Sequence, residues 1–479
     1  MVNRLAKILY EHSPIRLREL MLLYYSKKRE ERKYGPFFYQ YYTQIEATQF
    51  LPNEELEVFQ NVLFRRLIHY VWKYVPYYRE LLKEHGLTPE DFKDLKSIER
   101  LPYLTKDIVR KYGDRMLSDR YRLEELEHFQ TSGTTGKAID VYASLDYLQM
   151  EKAFQWLHRS WGGIKRGDRQ ATFVGYTVVP FKRKKPPFWV YDPTENRTFF
   201  SLHHMTKENL KYYVQHLNEI KPDYLVGYPM AIYILSSYIL DGNPLNFKTR
   251  AIFTASETLM DYQRPVIEDA FGCRVYDWYG QTEFTANIVQ CEEGNYHIKY
   301  EYGIVELLNE RNEPASPGEW GEIVATGLNN LAMPFIRYRT GDLAIPKEGK
   351  CSCGRGGRLI EKITGRVEDI IVTPDGRMIT RLDFLFKGMK NVIEAQLEQD
   401  SKDHIFVRIV PDGHFGEEDK ARLVSNIREH LGDSIKIDFL LVDAIPRTKT
   451  GKFRYVISHV NPGLPGITQP GERKKDVLE

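Results

Sequence analysis

The sequence predicts an α/β protein: a large N-terminal domain of parallel sheets covered by helices, a β-rich subdomain, and a small α+β C-terminal lid domain. Three observations carry this. Between about 55 and 300, helical patterns alternate with short β-rich runs, the signature of a parallel sheet under helices. Residues 302–345 are denser in strand patterns and glycine-containing turns. Past Gly365 comes a compact unit with a turn at Pro374-Asp375-Gly376 and its own strand and helix patterns.

The chain has 479 residues, enough for two or three domains. The expected divisions are a helical N-terminal extension at 1–50, a large domain at 51–365 with a metal-bearing β subdomain at about 285–360, and a lid at 366–479. The extension combines basic and aromatic side chains (Arg16, Arg18, Lys27, Tyr24, Phe37, Tyr39) with leucines at helical spacing. It reads either as a segment folded onto the main domain or as a contact with a membrane surface or partner.

In the large domain, 207–221 reads as a helix and Asp223–Tyr228 as a strand entering a turn. Arg250–Thr254 and Arg274–Trp278 read as strands flanking a helix at 259–271. In the C-terminal unit, strands are expected near 369–373, 391–398, 404–410 and 435–442, with a helix at 417–431.

Charge is nearly balanced at 68 basic and 66 acidic residues, net +2, which gives no general attraction to nucleic acid. The short run Lys182-Arg183-Lys184-Lys185 is followed by Pro186-Pro187 and reads as a solvated loop. No stretch reaches the ~18 apolar residues of a membrane span. Four cysteines are too few for a disulfide scaffold, so a reducing, cytoplasmic location is the default expectation.

Five motifs carry chemistry. In Thr131-Ser132-Gly133-Thr134-Thr135-Gly136-Lys137, two glycines let successive amide N–H groups turn toward one anion. The hydroxyls add donors and Lys137 adds positive charge, which makes a phosphate cradle without Walker-loop spacing. Tyr279-Gly280-Gln281-Thr282-Glu283 follows a strand, where ligands of open α/β sheets bind. Its aromatic beside a glycine suits a purine, and Glu283 offers oxygen to magnesium. In Tyr338-Arg339-Thr340-Gly341-Asp342, the carboxylate suits the two hydroxyls of a ribose. Gly365-Arg366-Val367-Glu368-Asp369 lies at the expected domain boundary. Pro446-Arg447-Thr448-Lys449-Thr450-Gly451-Lys452 places a lysine where a closing lid would carry it to developing charge. Ser256 and Glu257, just past the strand ending at Thr254, join the cofactor-binding candidates. Taken singly, each motif also fits an ordinary turn or loop.

Their order and spacing resemble the adenylate-forming superfamily over nearly the whole chain, from about 55 to 456. Within it, Lys221-Pro222-Asp223-Tyr224-Leu225-Val226-Gly227-Tyr228-Pro229 is similar to the phenylacetate–CoA ligase branch and its relatives in polysaccharide gene clusters. The resemblance implies activation of a small carboxylic acid by ATP to an acyl-AMP with release of pyrophosphate, then transfer to coenzyme A. Transfer to an amine, such as an amino sugar, stands as the alternative, and a non-catalytic nucleotide- or zinc-binding protein as a third reading. It further implies that Thr131–Lys137 bind the β- and γ-phosphates and that Trp278 and Tyr279 flank the adenine. Thr282 and Glu283 would hold phosphate and magnesium, and Asp342 the ribose with Arg366 nearby. Lys452 would bridge carboxylate and α-phosphate, and the lid would turn about Glu368–Asp369. Ala138 departs from the proline many relatives place there. The branch suggests a homodimer, and the basic-aromatic extension could dock on membrane-bound glycan machinery.

Cys291, His297, Cys351 and Cys353 form two tight pairs with the donor set of a closed structural zinc site. Three unrelated thiols and a surface histidine are the alternative. Some members of the branch resemble this with a bound zinc. For the acid, segments 172–178, 227–233 and 254–257 are expected to supply a neutral, aromatic pocket from Phe173, Tyr176, Tyr228 and Tyr233, suited to an aryl or short apolar acid.

Overall fold

The computed structural model describes residues 32–131, 139–176, 178–180, 182–206, 208–261, 263–309, 311–364, 371–379, 391–411, 413–445 and 456–460, with isolated positions 13, 17, 21, 24, 30, 385 and 389.

Helix α1 (Pro36–Thr48) leads into α2 (Asn53–Tyr74), α3 (Pro76–Glu84) and α4 (Lys106–Met116). Prolines open α1 and α3, where a missing N–H costs nothing. Thr105 caps α4 by accepting from the Ile108 amide. Helix α1 packs along α5 (Leu145–Trp161), so the described part of the N-terminal segment is folded onto the main body. Gln149 donates to the Arg32 carbonyl at 3.0 Å, and Trp161 donates to Gln49 at 3.0 Å, fixing both ends of that contact.

Strands β1 (Glu127–Gln130) and β2 (Asp140–Ala143) form an antiparallel hairpin whose pairing runs to Gln130–Asp140. The Thr131 amide donates to the Ile139 carbonyl, and the Ile139 amide donates to Thr131 Oγ1, both at 3.0 Å. The base of the expected phosphate loop is thereby closed. The rest of that motif, Ser132 to Ala138, lies outside the described residues.

The main sheet has twelve strands: β3 (Gln170–Phe173), β4 (Trp189–Asp192), β5 (Arg197–Phe200), β6 (Tyr224–Gly227), β7 (Ala251–Ala255), β8 (Arg274–Gly280), β9 (Asn287–Gln290), β10 (Tyr296–Ile298), β11 (Gly303–Leu308), β12 (Gly321–Gly327), β13 (Tyr338–Lys347) and β14 (Leu359–Thr364). Their order is β11-β12-β13-β14-β10-β9-β8-β7-β6-β3-β5-β4. Strands β5, β3, β6, β7 and β8 are mutually parallel, whereas β8 meets β9 antiparallel. The strands of 285–360 therefore form no sheet of their own; they continue the parallel one across β8.

Helices α6 (Leu210–Ile220), α7 (Pro229–Leu240) and α8 (Gln263–Phe271) cover one face of the parallel part, and α1 with α5 cover the other. Successive residues of β7 show it: Ile252 joins the core under α7, while Ala251 and Phe253 join the core under α5. Gly162, ending α5, sits so close to β7 that a Cβ there would lie 2.8 Å from that of Ala251.

The C-terminal unit holds the hairpin β15 (Ile371–Val372)–β16 (Met378–Ile379) and a four-stranded sheet. That sheet is ordered β19 (Lys436–Leu441)-β18 (His404–Pro411)-β17 (Val392–Ser401)-β20 (Val456–Ser458), covered by α9 (Glu417–Leu431). Leu397, Ile405, Val407, Leu423 and Ile427 give it a core of its own. Among the described residues, no helix is long and apolar enough to cross a membrane.

Candidate active site

A cavity of about 390 Å³ opens at the carboxyl ends of β7 and β8 and against β13, where an open α/β sheet offers its ligand site. Three motifs far apart in sequence meet there. Thr131 comes from the hairpin, Trp278, Tyr279, Gly280, Gln281, Thr282 and Glu283 from the end of β8, and Asp342 from β13. Ser256 and Glu257 line it too, immediately past β7. Lys137, Arg366 and Lys452, with the remaining residues of their motifs, lie outside the described residues.

The backbone at both strand ends is bent in a way L-residues rarely adopt. Ser256 has φ 73° and Phe284 has φ 57°. Such conformations persist where surrounding structure imposes them, commonly at ligand sites.

Hydrogen bonds fix the polar side chains. The Tyr279 hydroxyl donates to Asp342 Oδ2 at 2.9 Å, and the Asp342 amide donates to Thr340 Oγ1 at 3.1 Å. Burial and the Asp342 carboxylate hold the Tyr279 phenol well above its ordinary pKa, so it stays a donor. Tyr338, deep in the core, donates to Glu283 Oε1 at 2.7 Å. Gln281, also on the cavity wall, closes the loop by donating to Thr285 Oγ1 at 2.7 Å.

One cavity residue that the sequence reading passed over is Asp277. Thr254 Oγ1 and Tyr296 OH donate to its two oxygens at 2.5 and 2.8 Å, and burial raises its pKa above the usual carboxylate range. Lys106, Glu151 and Tyr302 also line the wall. The signal that could have found Asp277 is its place one residue before Trp278 on the same strand.

The expected neutral aromatic pocket needs correcting. Phe173 stacks on Phe200 at 4.7 Å within the core under α7, and Tyr233 is fully buried there. Neither lines the cavity, and Tyr176 is 64% exposed. The observed wall combines Phe129, Phe284 and Tyr302 with several carboxylates.

A second constellation lies behind the site. Cys291, His297, Cys351 and Cys353 bring their donor atoms within 4.8 Å of one another. Cys291 Sγ is 3.6 Å from Cys351 Sγ, and Cys353 Sγ is 3.4 Å from His297 Nε2. Tetrahedral zinc at about 2.3 Å from sulfur separates its sulfur ligands by about 3.8 Å, so the spacing fits the ion. His297 Nδ1 bonds the Gly356 carbonyl at 3.0 Å, leaving Nε2 directed at the cluster. Burial holds the imidazole near pKa 4, hence neutral, as a ligand must be. Asn295 donates to Cys351 Sγ at 3.1 Å and the Arg355 amide to Cys353 Sγ at 3.4 Å, which suits thiolate sulfur.

Comparison with known proteins agrees with this architecture. Residues 371–459 match the family model of the CapK C-terminal domain. Protein CapK of Staphylococcus aureus is 29% identical over 461 residues, covering 94% of this chain and 99% of the relative. A phenylacetate–coenzyme A ligase of Thermus thermophilus is 24% identical, covering 85% and 97%. Homologues of this chain thus include CapK and phenylacetate–coenzyme A ligases. The fold is that of adenylate-forming ligases: a 2-hydroxyisobutyryl-CoA ligase, solved with 2-HIB-AMP and CoA in its thioesterification state, superimposes with TM-score 0.57 at 19% identity, covering 86% of this chain and 91% of that one.

Proposed function

We propose that this protein activates a small carboxylic acid with ATP, forming an acyl-AMP and releasing pyrophosphate, and passes the acyl group to coenzyme A. The observation that carries the reading is the convergence of Thr131, the Tyr279–Glu283 segment and Asp342 on one cavity, in a chain whose homologues include phenylacetate–coenzyme A ligases.

A carboxylate is a poor acyl donor because its leaving group would be oxide. Attack of one carboxylate oxygen on the α-phosphorus exchanges that leaving group for AMP and expels pyrophosphate. The protein must hold two anions together and neutralise the charge that develops. In this reading Asp342 accepts the ribose hydroxyls, oriented by Tyr279, and the Trp278 and Tyr279 rings flank the base. Glu283 would supply an oxygen ligand to magnesium, which when bound would add positive charge beside the phosphates. The Ser/Thr/Gly loop with Lys137, and Lys452 from the C-terminal unit, complete the phosphate contacts. The Cys291, His297, Cys351 and Cys353 cluster holds a structural zinc, because four protein ligands leave no position open for substrate.

Pyrophosphate exchange into ATP, measured across a panel of acids, tests the first half-reaction. Exchange that depends on an acid and collapses in Lys452→Ala supports the reading. ATP binding without exchange for any acid would favour a non-catalytic nucleotide-binding role. Product analysis with coenzyme A, or with amine acceptors in its place, then decides the second half.

A further inference from the structure

Glu151 lies on the second turn of α5, with its carboxyl on the cavity wall. Its carboxyl is desolvated by burial and has no place in the nucleotide contacts above. Its surroundings form one continuous surface. Tyr147, one helical turn before it, donates to the Tyr302 hydroxyl at 2.7 Å, and its ring lies 5.0 Å from that of Phe284. Phe284 in turn meets Phe129 edge-on at 5.3 Å. Glu151, Tyr302, Phe284 and Phe129 all face the same cavity. Glu151 is thus set beside three aromatic rings on a wall that the site's other carboxylates, Glu257, Asp277, Glu283 and Asp342, share.

The Tyr302 hydroxyl, which accepts from Tyr147, is hydrogen-bonded to that carboxyl. Tyr147 OH and Gln155 Nε2 reach it at 3.4 Å each, longer than the 2.7–3.2 Å of a well-formed hydrogen bond. The adjacent cation, Lys152, points its ammonium at Gln155 Oε1 instead, at 2.6 Å. An ionised carboxylate offers about four lone-pair positions, so acceptor capacity remains toward the cavity.

We propose that Glu151 reads the acyl half of the substrate: the acid that this enzyme activates carries a hydrogen-bond donor, a hydroxyl or an ammonium, and Glu151 accepts from it. The inference rests on the adenylation reading and narrows its substrate class, replacing the plain aryl or apolar acid expected from sequence. A site built around a buried acceptor discriminates strongly against an analogue that lacks the donor, because the acceptor is then left desolvated. Burial already holds Glu151 above the usual carboxylate range, which marks that desolvation.

Two matched sets of acids test it with the full-length protein: propionate, lactate and alanine, and phenylacetate, mandelate and phenylglycine. Pyrophosphate exchange is read as kcat/KM for wild type, Glu151→Gln and Glu151→Leu. In at least one set the wild type should favour a donor-bearing acid over its plain analogue by about tenfold or more. Glu151→Leu should erase that ratio, and Glu151→Gln should retain it for a hydroxyl but lose it for an ammonium. ATP affinity, measured by calorimetry, should be unchanged in both variants. A preference unaltered in Glu151→Leu, or a wild type preferring the plain acids, overturns the proposal. So does an equal loss for every acid together with weakened ATP binding, which would place Glu151 with the nucleotide. Calorimetric binding of the same acids in the presence of α,β-methylene-ATP reads the Glu151 contact even if no exchange occurs. No exchange with intact, Glu151-dependent binding would sink the adenylation reading alone; binding indifferent to Glu151 sinks this one.

Discussion

The Tyr279 hydroxyl donates to Oδ2 of Asp342 across 2.9 Å, which ties the end of β8 to β13 and presents two side chains to the cavity as one unit. Tyr279→Phe keeps the ring and removes the tie. A hydrogen bond to a charged group contributes about 1.5–3 kcal/mol, so the Kd for ATP should rise roughly tenfold or more. Calorimetry of the variant checks this, and an unchanged Kd would mean that Asp342 is oriented by other contacts.

Glu283 is buried and accepts from Tyr338 at 2.7 Å, so it has a structural partner as well as a cavity position. Glu283→Gln preserves the partner and removes the charge. Exchange activity should fall by about two orders of magnitude, with a raised requirement for magnesium and little change in Tm. A large fall in Tm at unaltered magnesium dependence would assign Glu283 to packing.

The four-residue cluster predicts one zinc per chain by elemental analysis of purified protein. Cys353→Ser should lose the metal and lower Tm by several degrees, because binding free energy is also folding free energy at a structural site. A metal-free wild type with normal stability would exclude the ion.

Glu195 sets a pH-dependent part of stability. Burial alone would raise its pKa, but Arg197 and Lys33 prevail and hold it near 2, against an ordinary value of 4.5. Lys33 contacts it at 2.6 Å, and Arg197 is paired with it as well. Since the folded value lies below the unfolded one, this stability is fully present above pH 4.5 and is lost as pH falls toward 2. Glu195→Gln should therefore cost about 3 kcal/mol at pH 7, with the difference shrinking as the buffer is taken below pH 4.5. Urea denaturation at several pH values measures it, and a gap constant with pH would refute the pairing as its source.

Much of this arrangement was legible in the chain. The helix at 417–431 and the strands at 404–410 and 435–442 stand where periodicity placed them, with α9 at Glu417–Leu431, because each has one apolar face and clear breakers. The Cys/His pairs were legible because few structural arrangements need that donor set. The acid pocket was not. In β3, all four residues are buried, so no alternation of polarity tells which face Phe173 takes. It points to α7 and leaves the cavity to others. Glu151 was equally hidden, since a glutamate in an amphipathic helix pattern normally marks the solvent side. Nor could the pairing of β10 with β14 be read locally, because Tyr296 and Ile360 lie far apart in the chain and meet only in the assembled sheet.

Strand β8 is a seam, parallel to β7 on one side and antiparallel to β9 on the other. On the far side of the seam stand β13 with Asp342 and the cluster of β9, β10 and the turn before β14; on the near side are the turns after β3, β6 and β7, and α5 spans both. A lineage can therefore rewrite the near-side turns to accept a new acid while leaving Asp342 and the cluster untouched. Divergence in such enzymes should be lopsided, with drift and innovation gathering in one half of a single sheet and inheritance preserved in the other.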